Sequence, residues 1–406
     1  MKYKYRKMIK KITTLILLAV ALTANSQTTD SVSTGASNAN DVYYSFTNGI
    51  IKSQPNNDWD LAFEITGFTA SIMANHVKGL LVWQSPYSYA KWSALDTAGY
   101  KSWKKMYNSP QSWSLGAFNL HNTNNGDPYD LGWGTYDPST HIVVGDSVFL
   151  IKLSNGAFKK LTILNLNAGV YNIKYADLDG TNEKIASIDK ALFKGKNFAY
   201  YSFTTEATID REPAAADWDL VFTKYTEFIP TAYNVGGVWT NKGYKTAEAK
   251  NTPVSTNDYS TFHFSDSNSI IGYDWKTYNQ PLNQYDITGN LVYFVTTKSA
   301  TWKIYFTGYK GGANGTYYFT KQGFTSGINL PEITTSSVYP NPANGLLTIK
   351  LSSDNSLINY TITSVSGKKI MDGNEAIIDI SDLSSGVYFV NILTQKGIQN
   401  LKFIKN

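Results

Sequence analysis

Short runs in which apolar and polar residues alternate recur along the chain, and they predict strands. Ser147-Val148-Phe149-Leu150-Ile151-Lys152-Leu153, Ala157 to Leu166, and Val170-Tyr171-Asn172-Ile173-Lys174-Tyr175 follow one another closely. Asn155-Gly156, between the first two, supplies residues tolerant of positive φ for a tight hairpin, so the three form an antiparallel meander. The same signature returns in Leu291-Val292-Tyr293-Phe294-Val295-Thr296, Thr301-Trp302-Lys303-Ile304-Tyr305-Phe306 and Tyr317-Tyr318-Phe319. Upstream, Asp58-Trp59-Asp60-Leu61-Ala62-Phe63 recurs as Asp217-Trp218-Asp219-Leu220-Val221-Phe222, each after an aromatic run, Tyr43-Tyr44-Ser45-Phe46 and Tyr200-Tyr201-Ser202-Phe203. A period of about 160 residues is domain-sized and too long for a solenoid unit, so the chain holds two copies of one domain, 41–190 and 191–330. From Pro331 the pattern changes to short alternating strands such as Leu347-Thr348-Ile349-Lys350-Leu351, punctuated by Pro340, Pro342, Gly367 and Gly386. That spacing predicts a small β-sandwich over 331–406. Gln27 to Asn40 is small and polar with no periodicity, and reads as a flexible leader. The fold class is all-β: two antiparallel β domains followed by a sandwich.

Composition sharpens this picture in three ways. Aromatic residues make up 14% of the chain, with 29 Tyr, against 17% charged residues, a balance that suits half-buried pleated surfaces. Residues 1–26 combine Lys2, Lys4, Arg6, Lys7, Lys10 and Lys11 with the short apolar run Ile12 to Ala21 and Ala24-Asn25-Ser26. They read as a signal peptide, too short in its apolar part to span a bilayer. That segment carries six bases and no acid, so without it the formal charge of +5 becomes −1 and no basic field for nucleic acid remains. The chain contains no cysteine, which in an exported protein removes both disulfides and a lipid-accepting cysteine.

Enzyme signatures are missing: there is no Gly-x-Ser-x-Gly, no His-Glu-x-x-His and no Gly-x-x-x-x-Gly-Lys. Asp58, Asp60, Asp217 and Asp219 could serve as paired carboxylates of a hydrolase, but their repetition within a framework strand favours structural hydrogen bonding. Asp177-Leu178-Asp179-Gly180 has the oxygen-rich look of a calcium loop, yet is too short for that pattern and reads as an Asp-Gly hairpin turn. The copies differ most in their middles, where Tyr87, Tyr89, Trp92, Tyr100, Trp103, Tyr107 and Trp113 of the first face Gly236-Gly237-Val238-Trp239 and a polar stretch in the second. Divergent loops on a shared framework are where specific binding is expected.

Two resemblances follow. Pro340-Asn341-Pro342, Gly367-Lys368, Ser385-Gly386-Val387-Tyr388 and the closing Lys402-Phe403-Ile404-Lys405 resemble the C-terminal sorting domain of the type IX (Por) secretion system. This implies an Ig-like sandwich tag, recognition by the type IX machinery, and export through the outer membrane to the cell surface or beyond. The tandem part resembles the HmuY family of haem-binding proteins, on Arg211-Glu212-Pro213, Trp218 to Tyr225, Gly236-Gly237-Val238, Trp275 to Tyr278, and Val292-Tyr293-Phe294 leading to Trp302-Lys303-Ile304. The first copy keeps the Trp59 to Phe63 strand and the meander but lacks the Gly-Gly pair.

That likeness implies a non-enzymatic surface or secreted haemophore, with haem as cofactor held by two axial His or Met side chains. Met106, His121 and His141 fall where the family's ligands would lie. Met73 and His76 form an alternative pair, and His263 stands alone in Phe262-His263-Phe264, read as an alternating strand. Haem or a haem-carrying protein is then the partner. Two other readings stay open: an adhesive protein whose Tyr and Trp cluster contacts a glycan or a surface protein, and a surface hydrolase.

Overall fold

The computed structural model describes residues 27–67, 69–119, 127–325, 337–351, 357–364, 368–394 and 397–406. Residues 1–26, read from the sequence as a signal peptide, and His121 lie outside them. The chain divides after Thr325 into two compact units.

In the first unit the strands are, in order, β1 Thr28–Ser33, β2 Asn40–Ser45, β3 Gly49–Pro55, β4 Leu61–Glu64, β5 Ile72–Ala74, β6 Leu81–Ser88, β7 Lys105–Met106, β8 Gly134–Asp137, β9 Ile142–Gly145, β10 Ser147–Lys152, β11 Phe158–Asn167, β12 Val170–Asp177, β13 Lys184–Asp189, β14 Phe198–Ser202, β15 Ala207–Ile209, β16 Leu220–Phe228, β17 Ala232–Thr240, β18 Lys245–Ala249, β19 Lys276–Asn279, β20 Gln284–Ile287, β21 Val292–Thr296, β22 Ala300–Tyr309 and β23 Thr316–Thr325. The meanders are β10-β11-β12 and β21-β22-β23, and every pairing in them is antiparallel. The all-β expectation holds.

The linear division at 190/191 does not describe how the cores are built. The sheet β15-β14-β4-β5 joins the aromatic run of the second copy to the Trp-Asp-Leu strand of the first, and β17-β16-β2-β3 makes the reciprocal joint. One core therefore runs from Leu61 to Phe203. The other combines Val32, Val42, Tyr44 and Phe46 with residues from Leu220 to Phe319. The leader reading of 27–40 is corrected with it: β1 pairs along its length with β23, from Thr28 opposite Lys321 to Ser33 opposite Thr316. Val32 is fully buried in the second core. A polar strand can be an edge strand when its pairing partner supplies the apolar face, and β1 lies at the end of the sheet β1-β23-β22-β21-β18.

The repeated Asp residues hold these joints. Asp60 accepts from the amide of Phe203 at 2.7 Å, and Asp219 from that of Phe46 at 2.7 Å. The backbones follow, Asp60 N–H donating to Tyr201 O and Asp219 N–H to Tyr44 O. Asn75 and Asn241 then donate to the carbonyls of Trp59 and Trp218. Asp219→Ala leaves a buried amide unpartnered and is expected to destabilise the unit by about 1–3 kcal/mol. Asp60→Ala should cost more, because Lys78 also loses its partner at 2.8 Å. Urea unfolding midpoints of the two variants would measure both.

Gly236-Gly237 also has a packing reason. A Cβ on Gly237 would lie 2.6 Å from the carbonyl oxygen of Gly272, and one on Gly236 2.8 Å from Asn38 Nδ2. The pair lets β17 pass close to its neighbours.

The second unit contains β24 Ser337–Tyr339, β25 Leu346–Lys350, β26 Leu357–Ser364, β27 Lys369–Gly373, β28 Ile377–Asp379, β29 Gly386–Thr394 and β30 Gly397–Lys405. They form sheets β24-β25-β28 and β27-β26-β29-β30. Leu347, Ile349, Ile362, Ile378, Val390, Ile392 and Phe403 fill the core they share.

Candidate functional site

Strand alternation gives the two exchanged sheets a second apolar face each. Leu61, Phe63 and Tyr201 point into the first core, and Ala62, Phe198 and Tyr200 pack on the other side with Trp59 and Met73. In the reciprocal sheet Tyr44, Leu220 and Phe222 face the second core, while Tyr43, Val221 and Tyr225 pack with Trp218 and Trp239. Trp113 packs against both of these outer clusters. It lies 5.0 Å from Trp239 and 6.4 Å from Trp218, ring to ring, and donates its indole N–H to Thr240 O at 2.8 Å.

An inner chamber of about 80 Å³ lies among these residues. Arg211 sits in its wall, fully buried, with Asp41 at 3.0 Å, Asp58 at 2.9 Å, the carbonyl of Pro55 at 2.8 Å, and the Tyr200 ring 5.0 Å from its guanidinium carbon. Burial lifts Asp41 above the usual carboxylate range against the pull of Arg211. Glu212 accepts from the amides of Asn197 and Phe198 and from Tyr200 Oη, yet burial outweighs these donors and raises it to about 7.

An outer cleft of about 970 Å³ opens beside the chamber, and His76, Lys224 and Thr226 line both. Tyr107, Tyr233, Tyr273, Tyr278, Tyr285 and Tyr309 contribute to its walls. Tyr233 and Tyr278 are exposed, at 64% and 49%. Lys276 stands at the cleft against the rings of Trp275, Tyr309 and Tyr317, 4.2–5.7 Å from their centroids, and donates to the carbonyls of Gly236 and Tyr273. Burial brings its amine down to about 7.

The sequence candidates scatter. Met106, on β7, is buried within the first core. His141 lies in the exposed turn between β8 and β9 at φ 59°, its Nδ1 2.7 Å from Tyr136 Oη. Neither lines the chamber or the cleft. His263 is exposed and lies outside any strand. Met73 and His76 both line the chamber. His76 is nine-tenths buried, with Nδ1 2.9 Å from Leu80 O, and burial pulls its pKa to about 4.

The Asp177 to Glu183 segment is the hairpin turn between β12 and β13. Asp177 is paired with Lys159, Asp179 with Thr181, and Glu183 with Lys174 and Trp92. The repeated tryptophans, which the sequence marks as framework, also line the chamber; their recurrence is the signal that could have pointed to it.

A comparison with curated proteins finds no match. Among solved structures, dimeric latent PorU from Porphyromonas gingivalis is 12% identical over 66% of this chain and 31% of that one, with a TM-score of 0.14. The chain thus spans less than a third of that protein's length. Residues 337–406 match the model of the secretion system C-terminal sorting domain. The second unit is therefore a type IX sorting domain, and the protein is a client of that machinery, exported through the outer membrane to the cell surface or the extracellular space.

Proposed function

We propose that this is an exported, non-enzymatic binding protein, HmuY-like in its framework, that holds a glycan in the outer cleft. The observation that carries this reading is the tyrosine lining. Six tyrosines line the cleft, aromatic rings are suited to stacking on sugars, and Asn38, Asn234, Lys105 and Asp274 share the lining as hydrogen-bonding groups. The cleft's volume lies in the range of small-molecule sites.

A haem reading has less support. Met106 and His141 line neither the chamber nor the cleft. The chamber that unites Met73 with His76, at about 80 Å³, is far below the several hundred Å³ of a cofactor pocket. The adhesive alternative is served by the same tyrosines.

The test is a glycan array probed with the mature chain, followed by titration calorimetry on any hit. Tyr233→Ala and Tyr278→Ala are each expected to cost about 1 kcal/mol, roughly fivefold in affinity. An array with no hit, together with a saturable Soret shift on adding hemin, would put haem in the glycan's place.

A further inference from the structure

Five side-chain polar atoms that are buried without a hydrogen-bond partner in the protein belong to residues lining the inner chamber: Trp59 Nε1, Trp218 Nε1, Trp239 Nε1, Tyr225 Oη and His76 Nε2. Isolated cases of this kind occur in folded proteins, but five around one small space need an explanation. Trp239 and Tyr225 lie ring to ring at 4.8 Å, close enough to influence one another without reaching hydrogen-bond geometry. Trp59 and Trp218 are the repeated tryptophans, so both copies contribute to the set.

The donor and acceptor pattern narrows what fits. Indole N–H groups only donate. His76 Nδ1 faces the carbonyl of Leu80, which only accepts, so Nδ1 carries the proton and Nε2 of the neutral ring is an acceptor. The residues that line the chamber therefore carry, among their unpartnered atoms, three obligate donors, one phenol and one acceptor. An anion would leave Nε2 unanswered, and a cation would leave the indoles unanswered. A hydroxyl both gives and takes a hydrogen bond.

Space agrees with this. About 80 Å³ holds two or three waters at roughly 30 Å³ each, or one short hydroxyl-bearing arm, and is too small for a sugar ring. His76, Lys224 and Thr226 line the chamber and the outer cleft together, so the two spaces adjoin at these side chains.

We propose that the chamber is the inner end of a two-part site: a neutral sugar rests on the cleft tyrosines and extends a hydroxyl-bearing arm to the three indoles, Tyr225 and His76. This rests on the reading of the cleft as a glycan site and specifies which glycans it takes, those with an exocyclic hydroxymethyl or polyol arm.

The test uses mature protein carrying ¹⁵N-labelled tryptophan, titrated with glycerol as the minimal polyol and, in parallel, with sodium acetate. Glycerol is expected to shift the indole cross-peaks of Trp59, Trp218 and Trp239 saturably. Trp133, whose indole N–H is bonded to Ala70 O and which lines neither the chamber nor the cleft, serves as the internal reference and stays in place. Acetate is expected to move none of them. Trp239→Phe keeps a ring but removes the N–H, and should weaken glycerol binding roughly three- to tenfold. Absence of saturable shifts means that the chamber holds water only and overturns the proposal, as does an acetate response equal to that of glycerol. Glycan binding that depends on Tyr233 but leaves the three indoles unmoved overturns the chamber and leaves the cleft reading standing. No glycan binding at all overturns both.

Discussion

Replacing Arg211 with methionine is expected to lower the stability of the first unit by about 3–5 kcal/mol, a larger loss than Asp219→Ala should cause. The cause is less the ion pairs themselves than what the change leaves behind. Asp41 is buried, and its charge is met by Arg211 at 3.0 Å and by Thr223 Oγ1. Methionine fills much of the volume but removes the countercharge, and the carbonyl of Pro55 loses its donor at the same time. Asp41 is the second residue of β2, Asp58 precedes β4, and Arg211 lies between β15 and β16. One guanidinium thus ties together three points where the chain crosses between the cores. Asp41→Asn in the Arg211→Met background removes the uncompensated charge and should recover part of the loss. Guanidinium unfolding of the single and double variants measures this; equal stabilities for the two would show that the stranded Asp41 charge is not the source of the loss.

Strand periodicity made the meanders and the final sandwich legible in the sequence, because alternation is a local property and the Asn155-Gly156 turn fixes its own geometry. The repeat was legible too, but a tandem repeat states its period and not its phase. Cutting before Tyr43 or before Trp59 satisfies the sequence equally. Only the pairing of β2 with β16 and of β14 with β4, a long-range choice, shows that one core runs from Leu61 to Phe203 and that the other closes over the N-terminal strands. Another long-range pairing, of β1 with β23, makes Thr28–Ser33 of the polar Gln27 to Asn40 stretch an ordered edge. The site was less legible. Met106 and His141 stand out by position along the chain, whereas the chamber is assembled from Trp59, His76, Trp218, Tyr225 and Trp239, residues from both repeats that converge only when the sheets exchange strands.

The pH dependence of stability is expected to contain two opposed contributions of about 3 kcal/mol each, one from Glu212 and one from His76. Burial raises Glu212 from an ordinary value of 4.5 to about 7. Between those values the folded chain keeps a proton that the unfolded chain has released, so this group's contribution falls as pH rises through that window. Burial lowers His76 from 6.5 to about 4. There the unfolded chain takes up a proton that the folded chain refuses, so stability falls as pH drops through that window. The two windows overlap between about 4.5 and 6.5 and largely cancel there, which flattens the wild-type profile where each group alone would tilt it. Glu212→Gln should unmask the histidine: the variant's own stability rises by about 3 kcal/mol from about pH 4 to 6.5, and its difference from wild type rises between about pH 4.5 and 7. His76→Gln should unmask the carboxyl: the variant's own stability falls by a similar amount from about pH 4.5 to 7, and its difference from wild type falls between about pH 4 and 6.5. Each substitution also changes hydrogen bonding, since a glutamine at 212 meets the amides of Asn197 and Phe198 with one acceptor oxygen in place of two. That cost displaces a whole curve by about 1–3 kcal/mol without tilting it. Urea unfolding across about pH 4 to 8, read as the difference between each variant and wild type, separates slope from displacement; difference curves without slope would mean that neither group titrates differently in the folded chain.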